Sequence, residues 1–151
     1  MEPADDDQTA DGTDAWWAVT LVDTNVFVDV WSNDPRWGSW SASALERTAA
    51  RGPLAINPII YTELCLGFEH ETELASVLTS AGVQRLPLPY DAAWPAAQAF
   101  AAYRRRGGGR RSPLPDFYIG AHAVVEGLTL LTRDAARYLT YFPRLKLIAP
   151  M

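Results

Sequence analysis

Apolar positions along this chain switch repeatedly between the unbroken β-branched runs of buried strands and the three- and four-residue spacing of helices. Val19-Thr-Leu-Val22 reads as a buried strand ending at Asp23, and the spacing turns helical from Asn25 to Trp31. That strand is predicted over Ala15–Asp23, with Trp16 and Trp17 at its entry. Ser32-Asn33-Asp34-Pro35 breaks the first helix. Trp37, Trp40, Ala44, Leu45 and Thr48 then keep a helical spacing to Ala50, ahead of Gly52-Pro53. Leu54–Asn57 is a short strand, and Pro58 suits the early position of a helix running to Gly67. A helix over Glu71–Ser80 closes at Gly82, a strand segment covers Val83–Leu88, and Asp91 is expected to cap an Ala-rich helix ending near Arg106. Pro115-Asp116 opens an apolar helix to about Glu126, ended by Gly127. Leu128–Thr132 is the next strand, Asp134 opens a last helix stopped by Pro143, and Leu145–Ala149 is the final strand.

Strands alternating with helices predict an α/β fold: a three-layer α/β/α arrangement around a parallel sheet of about five strands. Open sheets of this kind bind ligands at the carboxyl ends of their strands. Asp23 stands at such an end.

The chain of 151 residues is long enough for one domain with its own core, and it contains no internal repeat. The net charge of −5 misleads if taken whole, because residues 1–14 hold six acids and no Lys or Arg. We expect that stretch to be a disordered acidic tail, with residues 15–151 forming the domain. The domain then carries 12 acids against 13 Lys and Arg, near +1. If four acids are committed to a metal, the remaining surface is basic and suits an anionic substrate. A single cysteine, Cys65, excludes an internal disulfide and a thiolate metal site; it reads as a small buried apolar residue. No apolar run reaches membrane-spanning length, and the N-terminus lacks the pattern of a signal peptide, so the cytoplasm is the expected location.

Asp23, Asp116 and Asp134 each stand at a predicted helix start, where Asp is a favoured cap. For any one alone, capping is the better explanation. Glu63 resists it: Ile59, Ile60, Glu63 and Gly67 fall on one face, so the carboxylate lies on or beside an inward stripe. Burying it is costly without compensation. An interior Arg would serve, but the arginines cluster in exposed-looking segments, and a metal is the simpler partner. Taken together, the four acids converge on one sheet edge. Oxygen ligands without clustered His or Cys suit Mg²⁺ or Mn²⁺ rather than zinc.

Arg104-Arg105-Arg106-Gly107-Gly108-Gly109-Arg110-Arg111 is a basic, Gly-rich loop just before Asp116. It reads as a generic solvated loop or as a phosphate-binding rim, the second favoured by its position. No Gly-Lys-Ser/Thr follows, so it is not a nucleotide P-loop. His122 lies about 240° round its helix from Asp116 and reads as structural. His70 reads as a surface residue, and no Ser-His-Asp arrangement is available. Trp37 and Trp40 are expected on one helix face, packing in the core, while Gly120 and Ala123 are expected to let backbones approach near the metals.

Four segments, taken in order, resemble the four signatures of the PIN-domain family. They are Asp23-Thr24-Asn25 after a strand, Glu63 in a helix, Pro115-Asp116-Phe117-Tyr118-Ile119-Gly120-Ala121-His122-Ala123, and Leu131-Thr132-Arg133-Asp134. Tyr138, Tyr141-Phe142-Pro143 and Leu147-Ile148 resemble the tail of its VapC-type toxin subfamily, so the resemblance covers about residues 18–150. It implies a Mg²⁺-dependent endoribonuclease (Mn²⁺ being an alternative ion) that cuts tRNA or rRNA and stops translation. It also implies a homodimer and a cognate antitoxin whose tail fills the active-site groove. Asp23, Glu63, Asp116 and Asp134 would be the catalytic, metal-binding acids, with Asp23 and Asp116 the most direct ligands and Asp134 acting through water. Asn25 and Thr132 would orient the ligands. Arg104, Arg105, Arg106, Arg110 and Arg111 would contact RNA. The acidic tail lies outside the family pattern.

Two other functions compete. A PIN-fold module could hold RNA or protein without cutting, although a retired site has no reason to keep Glu63 in an apolar stripe. An aspartyl-phosphate phosphatase could use Asp23 as nucleophile. The haloacid-dehalogenase-like version of that chemistry wants a second Asp where this chain has Asn25, and a receiver domain would need paired acids that are missing.

Overall fold

A computed structural model describes residues 19–108 and 114–151. The expected tail at 1–14, the entry residues Ala15, Trp16 and Trp17, and Arg110 and Arg111 lie outside the described residues. Five strands form one parallel sheet: β1 Thr20–Val22, β2 Leu54–Ile56, β3 Gln84–Arg85, β4 Thr129–Leu131 and β5 Lys146–Ile148. Seven helices connect and flank them among the described residues: α1 Thr24–Trp31, α2 Gly38–Ala49, α3 Pro58–Cys65, α4 Glu71–Ser80, α5 Ala93–Arg105, α6 Leu114–Val125 and α7 Ala135–Tyr141. The three-layer α/β fold expected from the alternation is the fold observed.

The strand order is β3-β2-β1-β4-β5. The chain therefore winds outward from β1 in one direction and returns to the other side of β1 with β4. This reversal puts a topological switch point between the ends of β1 and β4, where open α/β sheets bind ligands. Register makes the two ends level: Val22 lies opposite Leu131, and the Asp23 N–H donates to the Leu131 carbonyl at 2.9 Å. Leu21, Val22, Ile56, Leu130 and Leu131 are fully buried, with Ile60, Phe117, Ile119 and Tyr138 packed over the sheet in the same core.

The differences from the sequence reading have local causes. Asp34 Oδ1 accepts the N–H groups of Arg36 and Trp37, each at 2.8 Å, which holds a turn and delays α2 to Gly38. Trp37 thus precedes the helix and lies under the guanidinium groups of Arg36 and Arg133, while Trp40 packs against the core. β3 is only two residues long. Leu86 still donates to Ile56, but Pro87 and Pro89 have no N–H to continue the ladder. Asp91 does not cap α5; it sits within a 3₁₀ turn, Tyr90–Ala92, and α5 begins without a side-chain cap. Gly120 permits a close approach of aromatic rings, not of backbone. A Cβ there would stand 2.7 Å from the Phe142 ring and 3.2 Å from that of Tyr138. Cys65 is partly buried. No helix of the described residues is long and apolar enough to cross a membrane.

Candidate functional site

At the switch point lies a cleft of about 400 Å³ lined by Asp23, Thr24, Asn25, Val28, Glu63, Leu66, Asp116, Arg133, Asp134 and Tyr138. The fold brings all four expected acids to this one cleft. Each arrives by a different route.

Asp23 is the residue between β1 and α1 and is 4% exposed. Its Oδ1 accepts the Thr24 N–H at 2.8 Å, so it does cap α1. Its Oδ2 accepts the hydroxyls of Thr132 and Tyr138, both at 2.9 Å, with Asn25 Nδ2 farther off at 3.4 Å. All these donors are neutral. Burial pushes the Asp23 carboxyl up to about 6, the negative charge of Asp116 adds to the rise, and the hydrogen bonds only partly offset both.

Glu63 comes from the second turn of α3, whose start is fixed by Pro58 and by Asn57 Oδ1 accepting the Ile60 N–H. The half-buried carboxylate accepts the Thr24 hydroxyl at 2.5 Å, tying α3 to α1 across the cleft. Asp116 lies in the first turn of α6. Burial raises its carboxyl above the usual carboxylate range, against the pull of an ion pair with Arg137. Asp134 is exposed at the head of α7, and its side chain makes no capping bond.

The two polar residues beside the acids are built in firmly. Thr132, fully buried, donates to Asp23 and accepts the Asp134 N–H at 3.0 Å. Asn25 Oδ1 accepts the Arg133 N–H at 3.2 Å, which fixes the turn between β4 and α7 to α1. Arg104, Arg105 and Arg106 are exposed at the end of α5, where the Arg106 guanidinium lies 5.5 Å from the Tyr141 ring centre. His122 is fully buried between Asn57 Nδ2, 3.0 Å away, and Glu126 Oε1, 3.1 Å away, apart from the acids. His70 is exposed.

A model of the PIN domain matches residues 20–142. The chain belongs to the PIN-domain family. Solved structures with this fold include VapBC2 from Rickettsia felis bound to a promoter DNA fragment. It shares 20% identity, 87% of this chain and 98% of that one being covered, at a TM-score of 0.65. A toxin–antitoxin complex from Klebsiella pneumoniae shares 25% identity over 87% and 98% of the chains at 0.60. DNA-bound VapBC from Salmonella typhimurium shares 23% over the same fractions at 0.64. No curated protein sequence matches the chain.

In this PIN domain the donors at the cleft are carboxylate oxygens and hydroxyls, a set that fits a hard divalent ion by its chemistry. Among the described residues, no three Asp, Glu, His or Cys side chains stand close enough to enclose an ion as they are placed. Asp116, in particular, is turned to Arg137.

Several residues at or behind the site carry roles that the sequence alone does not assign. Tyr138 and Arg137 follow Asp134 at i+4 and i+3, so one face of α7 presents all three to the cleft and its rim. That spacing is a usable signal. Asp29, 1% exposed, accepts two bonds from Arg133, at 2.7 and 3.0 Å, and one from the Ser41 hydroxyl at 2.8 Å. Its place three residues after Val26, on the inward stripe of α1, marks it as an acid needing a cation.

Proposed function

We propose that this PIN domain is a Mg²⁺-dependent endoribonuclease, the toxin of a toxin–antitoxin pair, which hydrolyses tRNA or rRNA to inhibit translation. One observation carries the reading: Asp23 is a buried carboxylate raised to about 6, with like-charged Asp116 beside it and, among the described residues, neutral groups as its hydrogen-bond donors. A buried charge of this kind needs a cation. Family membership and the four acids that line the cleft support that cation being a divalent metal, Mg²⁺ with Mn²⁺ as substitute.

Asp23 and Asp116 would hold the ion most directly, with Glu63 as a further ligand and Asp134 acting through water. When bound, such an ion lowers the pKa of a water and neutralises charge on a phosphodiester. The chain's own groups do the positioning. Thr132 and Tyr138 fix the Asp23 carboxylate through Oδ2 where it lines the cleft. Thr24 orients Glu63, and Asn25 holds the turn that presents Asp134. Arg104, Arg105 and Arg106, with Arg110 and Arg111, supply a basic approach for the RNA backbone.

The solved relatives in fold are toxin–antitoxin complexes, which supports a cognate antitoxin as partner here. A homodimer is proposed because the family resemblance implies one, and the cytoplasm is proposed as the place where a toxin of translation would act.

The test is incubation of total RNA with the purified protein and its Asp116→Asn form, in Mg²⁺, in Mn²⁺ and in EDTA. Discrete metal-dependent cleavage by the native form alone is expected. Equal cleavage by both would place the activity elsewhere. No cleavage, with RNA binding intact and no copurified antitoxin, would make the chain a binding module.

A further inference from the structure

Two arginines stand at the acid cleft, and they are committed differently. Arg133 is locked to Asp29 through Nε and Nη2 at 2.7 and 3.0 Å, against a carboxylate that is 1% exposed. Arg137 reaches Asp116 through Nη1 alone, and the two side chains remain 40% and 27% exposed. Asp116 is the acid whose partner sits at the rim, open to water.

We propose that Arg137 is the resident counter-cation of Asp116, which a divalent ion entering the cleft must displace, so that Arg137 sets how tightly the ion is held. The proposal rests on the metal-dependent reading above. Its geometry is simple. Arg137 engages Oδ2 of Asp116, and an oxygen paired with a guanidinium is a poorer metal ligand. Tyr138, the next residue of α7, reaches inward to Asp23, so the helix addresses two candidate ligands at once. One receives a neutral hydroxyl and the other a full positive charge. A second cation arriving beside Asp116 must therefore replace Arg137 or share the carboxylate with it against repulsion. The exposure of the pair makes the exchange easy, because an ion pair in water is weak.

The test is direct titration of the purified chain with Mn²⁺ at neutral pH, by calorimetry or by the electron paramagnetic resonance signal of the free ion. Native protein is compared with Arg137→Gln, Arg137→Ala, Arg137→Lys and Asp116→Asn. We expect both neutral variants to bind Mn²⁺ about two- to fivefold more tightly than native, the ratio that corresponds to an exposed ion pair. Arg137→Lys, which keeps the charge, should stay within about twofold of native, and Asp116→Asn should bind more weakly. Arg137 is exposed, so none of its substitutions disturbs the core. Affinity unchanged or weakened in both neutral variants would overturn the role of Arg137 while leaving the metal reading in place. A native chain that takes up no Mn²⁺ would overturn both.

Discussion

Asp23 and Asp29 lie six residues apart, at the two ends of one short segment, and both are buried, at 4% and 1% exposure. Asp29 has a protein cation of its own: Arg133 grips it with two bonds and Ser41 adds a third. Among the described residues Asp23 has neutral donors alone, from Thr24, Thr132, Tyr138 and Asn25, and a second carboxylate nearby. The first arrangement is closed. It fastens the turn after β4 to α1 and α2 and leaves nothing to add. The second is incomplete, and its incompleteness faces a cleft. A buried acid is thus assigned to structure or to chemistry by asking which side supplies its positive charge.

Breaking the closed arrangement should cost most. Arg133→Ala leaves Asp29 buried and unpaired, which should destabilise the fold by about 3–5 kcal/mol in denaturant titration. Adding Asp29→Asn should recover part of that loss, because the orphaned charge is removed with it. A loss below about 1 kcal/mol would mean that Asp29 finds solvent, and the contrast with Asp23 would fail.

The open arrangement should appear as a pH dependence. The Asp23 carboxyl is raised from 3.8 to about 6. A group raised on folding holds its proton more tightly in the folded chain. Its contribution is therefore full below about pH 4 and lost as pH rises through 6. In EDTA, native protein should lose about 3 kcal/mol relative to Asp23→Asn from about pH 3 to about pH 7. The two unfolding free energies measured across that range give the difference directly, and a flat difference would contradict the assignment.

Tyr138→Phe is the smallest of these changes. It removes one hydroxyl from Asp23 and leaves a ring that is 1% exposed in place. A loss of about 1–2 kcal/mol is expected at neutral pH, where the carboxylate is charged, and less in acid. An equal loss at both would mean that the hydroxyl serves packing alone.

The sheet was legible in the sequence because buried parallel strands write themselves as apolar runs, and Val19–Val22, Leu54–Ile56 and Leu128–Leu131 do so. Asp23 and Asp134 were legible for the same reason, standing where two such runs end. Asp116 and Glu63 were placed in their helices, and the fold brings both to the cleft. What could not be read was pairing across the chain. Arg133 reaches Asp29 over 104 residues and Arg137 reaches Asp116 over 21, and neither spacing follows from any local period. The arginines looked exposed as a group, yet these two are bound to acids. Trp37 misled because its spacing to Trp40 fits a helix, whereas Asp34 holds it in the preceding turn. β3 is shorter than its apolar pattern, because Leu86 and Leu88 continue that pattern past the point where Pro87 ends the hydrogen bonding.

In the proposed function, the positive charge missing beside Asp23 comes from outside the chain as a divalent ion. The measurement is unfolding of native protein and Asp23→Asn at neutral pH, with EDTA and then with saturating Mg²⁺. Asp23→Asn is expected to be the more stable of the two in EDTA, and Mg²⁺ to stabilise the native form enough to reverse the order. Native protein that is the more stable in EDTA and indifferent to Mg²⁺ would contradict it.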